Sequence, residues 1–265
     1  MATQFKHDGD VTPPSLLLAL TELPRAIAEL GSLGPAAPLL AMAPRGDGHP
    51  VMVLPGFVTS DISTTVLRRF LTRQGYDTHP WELGRNLGPK AIGWSGEKLI
   101  ARLDSIHKTT GKRVSLIGWS LGGVMARQLS RRLPDAVRQV ISLGSPFAGT
   151  PRATNAWRAY EVLTGQKIDD EDTRHQLRES ATPPPVPSTS IYTREDGVVA
   201  WQNCIEPRGA ETDNIEVHGS HCGLGVNPAV LYAVADRLAQ DEDDWHPFER
   251  KSGLRPLVYP FAGHA

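Results

Sequence analysis

With 265 residues, 40% of them apolar and 22% charged, the chain has an ordinary globular composition and is long enough to bury one large core. A formal net charge of −1 leaves no broad cationic face for nucleic acid or an anionic membrane. No apolar run approaches the roughly 20 residues of a membrane-spanning helix, and two cysteines are too few for a zinc site of their own.

The chain begins "MATQFKHDGDVTPP", without the basic region of a secretory signal. Its apolar burst "SLLLAL" is short and stops at Thr21-Glu22, so the expected location is cytoplasmic. Residues 13–31 read as a helix opened by Pro13-Pro14 and kinked at Pro24. Leu16, Leu20, Leu23, Ile27 and Leu30 recur at steps of three and four and make one apolar stripe. The stripe is expected to pack the helix on the main body; a lid, a dimer contact and a membrane-surface helix are the alternatives. Residues 31–48, rich in Gly, Pro and Ala, read as a linker, so 1–49 forms an N-terminal helix and linker.

From residue 50 strands and helices alternate. "PVMVLPG" is a strand, "STTVLRRFLTRQG" a helix, "YDTHP" a strand, and "PKAIGWSGEKLIARLDSIHKTTG" one long helix. "RVSLIG", "VRQVISLGSP", "TSIYTRED" and "NIEVHG" are further strands, with a helix at "LGGVMARQLSRRLP" and a last one at "NPAVLYAVADRLAQ". Such alternation implies βαβ units and an α/β fold of about six mostly parallel strands flanked by helices. Near-continuous apolar strands imply a sheet covered on both faces. The main domain then spans 50–240. Within it, 151–187 breaks the pattern as a small cap or loop insert before the fifth strand, and 241–265 is a C-terminal tail.

The chemistry is carried by "GWSLGG". Gly118, Ser120 and Gly122 fit G-x-S-x-G between a strand and a helix, the setting of a nucleophile elbow. Open parallel sheets bind ligands at the carboxyl ends of their strands, where this turn lies. A serine hydroxyl needs a base, and the base needs an orienting acid, in the chain order Ser, acid, His. Asp196, beyond the strand of "SIYTREDGVV", is the expected acid, with Glu195 its rival. His221, in the glycine-rich loop of "NIEVHGSHCGLG", is the expected base, with His218 at the strand tip read as structural. Backbone N–H groups of Leu121 and of Phe57 in "LPGF" are the expected oxyanion donors. Trp81, Trp119, Phe147 and Trp201, near predicted strand ends, are the expected apolar substrate-binding residues.

Taken together, "VLPGF", "GWSLGG", "LGSPFAG", "REDGVV" and "GSHCGLG" resemble the α/β-hydrolase superfamily, in particular small lipases and esterases, over residues 50–240. "LPGF" stands where many lipases carry His-Gly. The chain starts at the strand usually counted third, as in a minimal α/β-hydrolase fold without the first antiparallel hairpin. The resemblance implies a triad of Ser120, Asp196 and His221, with Phe57 and Leu121 as oxyanion donors, and no cofactor or metal. The partner it implies is a small-molecule or lipid ester. The expected activity is carboxylic-ester hydrolysis, with acyl transfer or thioester hydrolysis as the alternative and a non-catalytic binding module the remote one. If the acid and base loops meet, Cys204 and Cys222 come near each other, and a disulfide between them is expected; two free thiols are the alternative.

Overall fold

The computed structural model describes residues 11–253 and 255–260. In chain order the elements are α1 (Leu16–Ala41), β1 (Pro50–Leu54), α2 (Thr65–Gln74), β2 (Asp77–Pro80), α3 (Pro89–Ile92), α4 (Glu97–Thr110), β3 (Val114–Trp119) and α5 (Leu121–Arg132). They continue with β4 (Val137–Leu143), α6 (Trp157–Thr164), α7 (Glu171–Ala181), β5 (Ser188–Tyr192), β6 (Thr212–Glu216), α8 (Pro228–Leu238) and α9 (Arg255–Val258). Six strands form one sheet in the order β2-β1-β3-β4-β5-β6, every pair parallel.

The pleat sorts the apolar strand residues onto two faces. Val51, Val53, Ile117, Ile141, Ile191 and Ile215 pack with Leu67 and Leu71 of α2 and with α8. Met52, Leu54, Leu116 and Val140 pack with Leu99 and Leu103 of α4 and Met125 and Leu129 of α5. The register keeps the carboxyl ends level: Leu54 lies opposite Gly118, Trp119 opposite Leu143, Leu143 opposite Ile191, and Tyr192 opposite Glu216. The loops after β1, β3, β5 and β6 therefore leave the sheet along one edge. The strand order reverses at β1, which places a crevice between the ends of β1 and β3.

The β3–α5 connection is a backbone-on-backbone contact. A Cβ at Gly118 would lie 2.3 Å from Gly123 Cα, and one at Gly122 would lie 2.5 Å from Leu54 O. Neither neighbour is a flexible side chain, so both positions require glycine for space.

Three expectations are corrected. The long helix at 89–111 is two, α3 and α4, because Gly93 and Gly96 adopt φ of 88° and 75°. The stretch read as a linker is mostly helix: α1 runs through Pro24, Pro35 and Pro38 to Ala41, and Leu33 and Leu40 pack into the core where the prolines cost backbone hydrogen bonds. The apolar stripe does not hold α1 to the body. Leu16, Leu20, Leu23, Ile27 and Leu30 are 48–79% exposed, whereas Glu22 is buried. The helix docks at this end by charge, for reasons found at the site below. The described part of the tail packs on the domain, with Phe248 and Tyr259 in the core and Arg250 and Arg255 paired to Asp213 and Asp236.

The expected Cys204–Cys222 disulfide is a fourth correction, since both are free thiols. Each occupies its own surroundings: Cys204 is enclosed with Tyr192 and Val199, and Cys222 hydrogen-bonds Glu22. Burial, then Glu22, pushes the Cys222 thiol up to about 12.

Two measurements check these points. Alkylation of the unreduced protein should modify two thiols after unfolding, with Cys204 silent and Cys222 slow before it; an intact mass showing the loss of two hydrogens would restore the disulfide. Gly118→Ala and Gly122→Ala should each lower stability by about 1–3 kcal/mol through overpacking. Gly31→Ala, where a Cβ in helix α1 meets nothing within 4 Å, should raise it by about 0.5–1 kcal/mol; thermal melts read both signs.

Candidate active site

Ser120 sits at the tip of the β3–α5 turn with φ 52° and ψ −121°. A serine rarely adopts such a backbone unless its surroundings impose it. Here its N–H donates to Leu143 O at 2.8 Å and its carbonyl accepts from Gly123 N at 3.0 Å. The glycine contacts at 118 and 122 close the turn from both sides.

Beside it lies the loop after β1. A Cβ at Gly56 would stand 3.4 Å from Ser120 Cβ, so Gly56 lets the two backbones approach. Val58 carries a φ of 58°, unusual for a β-branched residue. Asn86 imposes it: its carbonyl accepts from Val58 N at 2.8 Å, its N–H donates to Thr59 O at 2.7 Å, and its side-chain amide donates to Pro55 O at 2.8 Å. Asn86 is fully buried. Among the described residues the N–H groups of Phe57 and Leu121 have no protein acceptor, and both residues border the same cavity as Ser120.

Asp196 follows β5 and is buried. Its Oδ1 accepts from Val198 N at 2.8 Å and Val199 N at 2.6 Å, leaving Oδ2 for His221 Nδ1 at 2.6 Å. Burial alone would make the His221 imidazole a weaker base. The Asp196 charge and hydrogen bond, with Glu22 behind them, outweigh it and raise the pKa above the ordinary value. Gly144 backs this pair: a Cβ there would lie 3.1 Å from His221 Nδ1 and 3.3 Å from Asp196 Oδ2. The indole of Trp119, one residue before Ser120, donates to His221 O at 3.1 Å. Ser120 Oγ itself makes no hydrogen bond among the described residues.

The rival pair meets elsewhere. His218 Nδ1 lies 2.9 Å from Glu195 Oε1, and both side chains are largely exposed to solvent. A second Ser-His-Asp cluster exists at the opposite, amino end of the sheet, where His49 bridges Asp47 and Ser115. Ser115 and His49 are buried in the strand layer, away from the cavity over Ser120.

A cavity of about 190 Å³ opens over Ser120. Its walls are Phe57, Leu121, Val124, Met125 and Leu129, with Ile92, Trp94, Leu99 and Ile100 from α3–α4, Trp157 and Tyr160 from α6, and Val198 and Val199 after Asp196. None of the four expected substrate-binding residues borders it. Trp81 is fully buried and donates to Gly84 O. Phe147 lies under the Arg127 guanidinium at 3.8 Å, beside the buried Arg127–Glu206 pair. Trp201 stacks on Tyr192 and under Arg194, and Trp119 braces the His221 loop. Beside Phe57, the aromatic walls come from Trp94, Trp157 and Tyr160, which the alternation of strands and helices did not mark; the spacing of Trp157 and Tyr160 on one helix face was the available signal. Phe57 and Tyr160 are in contact at 5.4 Å between ring centres.

A family model described as the alpha/beta hydrolase fold matches residues 97–182, a span that includes Ser120. No curated protein matches the chain in sequence. Among solved structures, Aspergillus fumigatus lipase B is similar over 76% of this chain with 20% identity and a TM-score of 0.56, although the chain spans only 55% of that lipase. Paleococcus ferrophilus monoacylglycerol lipase matches over 74% of this chain and 96% of its own, at 14% identity and a TM-score of 0.54. Bacillus licheniformis lipase BlEst2 in its mature form matches over 76% and 95%, at 16% identity and a TM-score of 0.52. At these identities the likeness is one of fold, and it agrees with the six-stranded parallel sheet and the serine turn: the chain adopts the α/β-hydrolase fold.

Proposed function

We propose that the protein is a serine hydrolase that cleaves carboxylic esters through an acyl-enzyme on Ser120. The observation that carries this reading is the strained serine bordering an apolar cavity, with a buried, carboxylate-paired imidazole at the same carboxyl end of the sheet. His221 Nδ1 is committed to Asp196, so Nε2 is the nitrogen that takes the Ser120 proton. Catalytic hydrogen bonds are often long before substrate binds, and the open Ser120 Oγ belongs to that resting state.

In the reaction, Oγ attacks the ester carbonyl carbon as its proton passes to His221. The developing oxyanion is held by the Phe57 and Leu121 N–H groups, which are fixed in place before the substrate arrives. Collapse breaks the bond to the alcohol oxygen, which leaves with the proton from His221. Water then attacks the acyl-enzyme with His221 again as base and releases the acid. Asp196 holds the ring and stabilises its positive charge without taking the proton. The apolar walls suit a hydrocarbon acyl group, and lipases and a monoacylglycerol lipase among proteins of like fold are in keeping with such substrates.

Hydrolysis of short-, medium- and long-chain p-nitrophenyl esters tests the reading. Wild type should turn over at least one of them, and Ser120→Ala should lose about 10³-fold or more in kcat; equal rates on every ester would refute it. The pH profile is a second test. His221 must be neutral to accept the proton, and its pKa is raised in the folded protein. Activity should therefore fall as pH drops through a midpoint above the roughly 6.5 of an ordinary imidazole, and a midpoint at or below that value would contradict the assigned base.

A further inference from the structure

We infer that Glu22 of α1 is a positioning residue for the acid and the base, an inference that rests on the reading of Ser120, Asp196 and His221 as a triad. Its carboxylate is buried and sits where the two loops meet. Oε1 accepts from Gly197 N, the residue after Asp196, at 2.7 Å and from His221 N at 3.1 Å. Oε2 accepts from Cys222 N at 2.8 Å. One side chain from a remote helix thus ties the backbone of the acid loop to the backbone of the base loop, and three donors, two of them buried, depend on it.

The neighbouring turns of α1 complete the clamp. Arg25 donates to Glu22 Oε1 at 2.9 Å, to Glu195 O at 2.9 Å and to Gly219 O at 3.3 Å. Glu29 accepts from Ser220 N at 2.7 Å and from the Asn227 amide at 2.9 Å. Glu22, Arg25 and Glu29 share one helix face by their spacing of three and four. This face explains why the apolar stripe of α1 is turned outward. A Cβ at Gly197 would lie 2.5 Å from Leu18 O, so the acid loop and the helix backbone are in direct contact.

Glu22 also acts through charge. The charged groups facing His221 are Asp196 from the loop after β5 and Glu22 from α1, with Arg25 paired to Glu22 and Glu29 on the adjacent Ser220. Just after β4, the Gly144 backbone, which carries no charge, faces the ring. Removing the Glu22 charge leaves His221 easier to deprotonate, while loss of its acceptors lets the imidazole drift from Ser120.

The test is ester hydrolysis by the full chain as wild type, Ser120→Ala, Glu22→Gln and Glu22→Asp, with circular dichroism and thermal melts on each. Glu22→Gln keeps Oε1 but turns an amide N–H toward Cys222 N–H; its kcat should fall about 10- to 100-fold with KM little changed. Its acid limb should move to lower pH, because the Glu22 charge is one of the groups that raise the His221 pKa. Glu22→Asp keeps the charge on a shorter stem, so kcat should fall while the acid limb stays near that of wild type. A limb unmoved in Glu22→Gln, or a kcat within twofold of wild type in a folded variant, overturns the assignment while Ser120→Ala remains inactive. Should Glu22→Gln fail to fold, a limb shifted in Glu22→Asp likewise overturns it, and an unshifted limb with reduced kcat supports it. Full turnover by Ser120→Ala removes the triad reading itself, and the role of Glu22 with it.

Discussion

The close approach of β3, β1 and α5 at Gly118, Gly122 and Gly123 is the constraint on which the site depends. A parallel strand buried on both faces ends against a helix whose first turn lies directly on the neighbouring strand. No room remains for side chains in that contact, and the chain reverses through one residue held at positive φ. The residue left at the apex is Ser120. Its backbone conformation is strained, and the surrounding hydrogen bonds and packing over-determine it. The same contact leaves Leu121 N–H without a protein acceptor at the start of α5 and brings Gly56 against Ser120, so the candidate nucleophile and candidate oxyanion donors come from one packing solution.

Around that centre the fold assigns support to three residues that are far apart in sequence. Asn86 holds the loop after β1 in its unusual conformation. Trp119 braces the His221 loop through its indole. Glu22 fastens the Asp196 and His221 loops together from outside the sheet. Each uses hydrogen bonds to backbone groups rather than to reacting atoms, so each acts on position. Fully bonded polar clusters of this kind hold one arrangement firmly because losing any partner strands a buried donor.

The orientation of α1 follows from the same energetics. Burying its leucine stripe would gain apolar area, at about 25 cal/mol per Å². Turning that face inward would leave Gly197, His221, Cys222 and Ser220 without acceptors for their N–H groups, at about 1–3 kcal/mol each. Charge-assisted bonds to Glu22 and Glu29 satisfy them instead. Farther along, where no such loop is exposed, Leu33 and Leu40 of the same helix do pack inward.

Much of the architecture was legible because it rests on local periodicity. Apolar strand runs, helices closed by Gly75 and Gly111, and the strand–turn–helix frame of Ser120 can be read from residue spacing alone, and they led to six parallel strands in the right order along the chain. Asp196 and His221 are expected over Glu195 and His218 from distance beyond a strand end; the structure pairs Asp196 with His221 in the interior and Glu195 with His218 in solvent. What spacing could not reveal is which face of an element meets which neighbour. The apolar stripe of α1 points to solvent, Trp81, Trp119, Phe147 and Trp201 lie outside the cavity, α3, α4 and α6 supply part of its walls, and the two thiols stay separate. These features are decided by contacts between segments distant in sequence, where unpaired backbone donors and available volume outweigh local hydrophobicity. The sequence by itself determined the sheet, the serine turn and the order of the three chemical groups; the tertiary structure alone decided what surrounds and holds them.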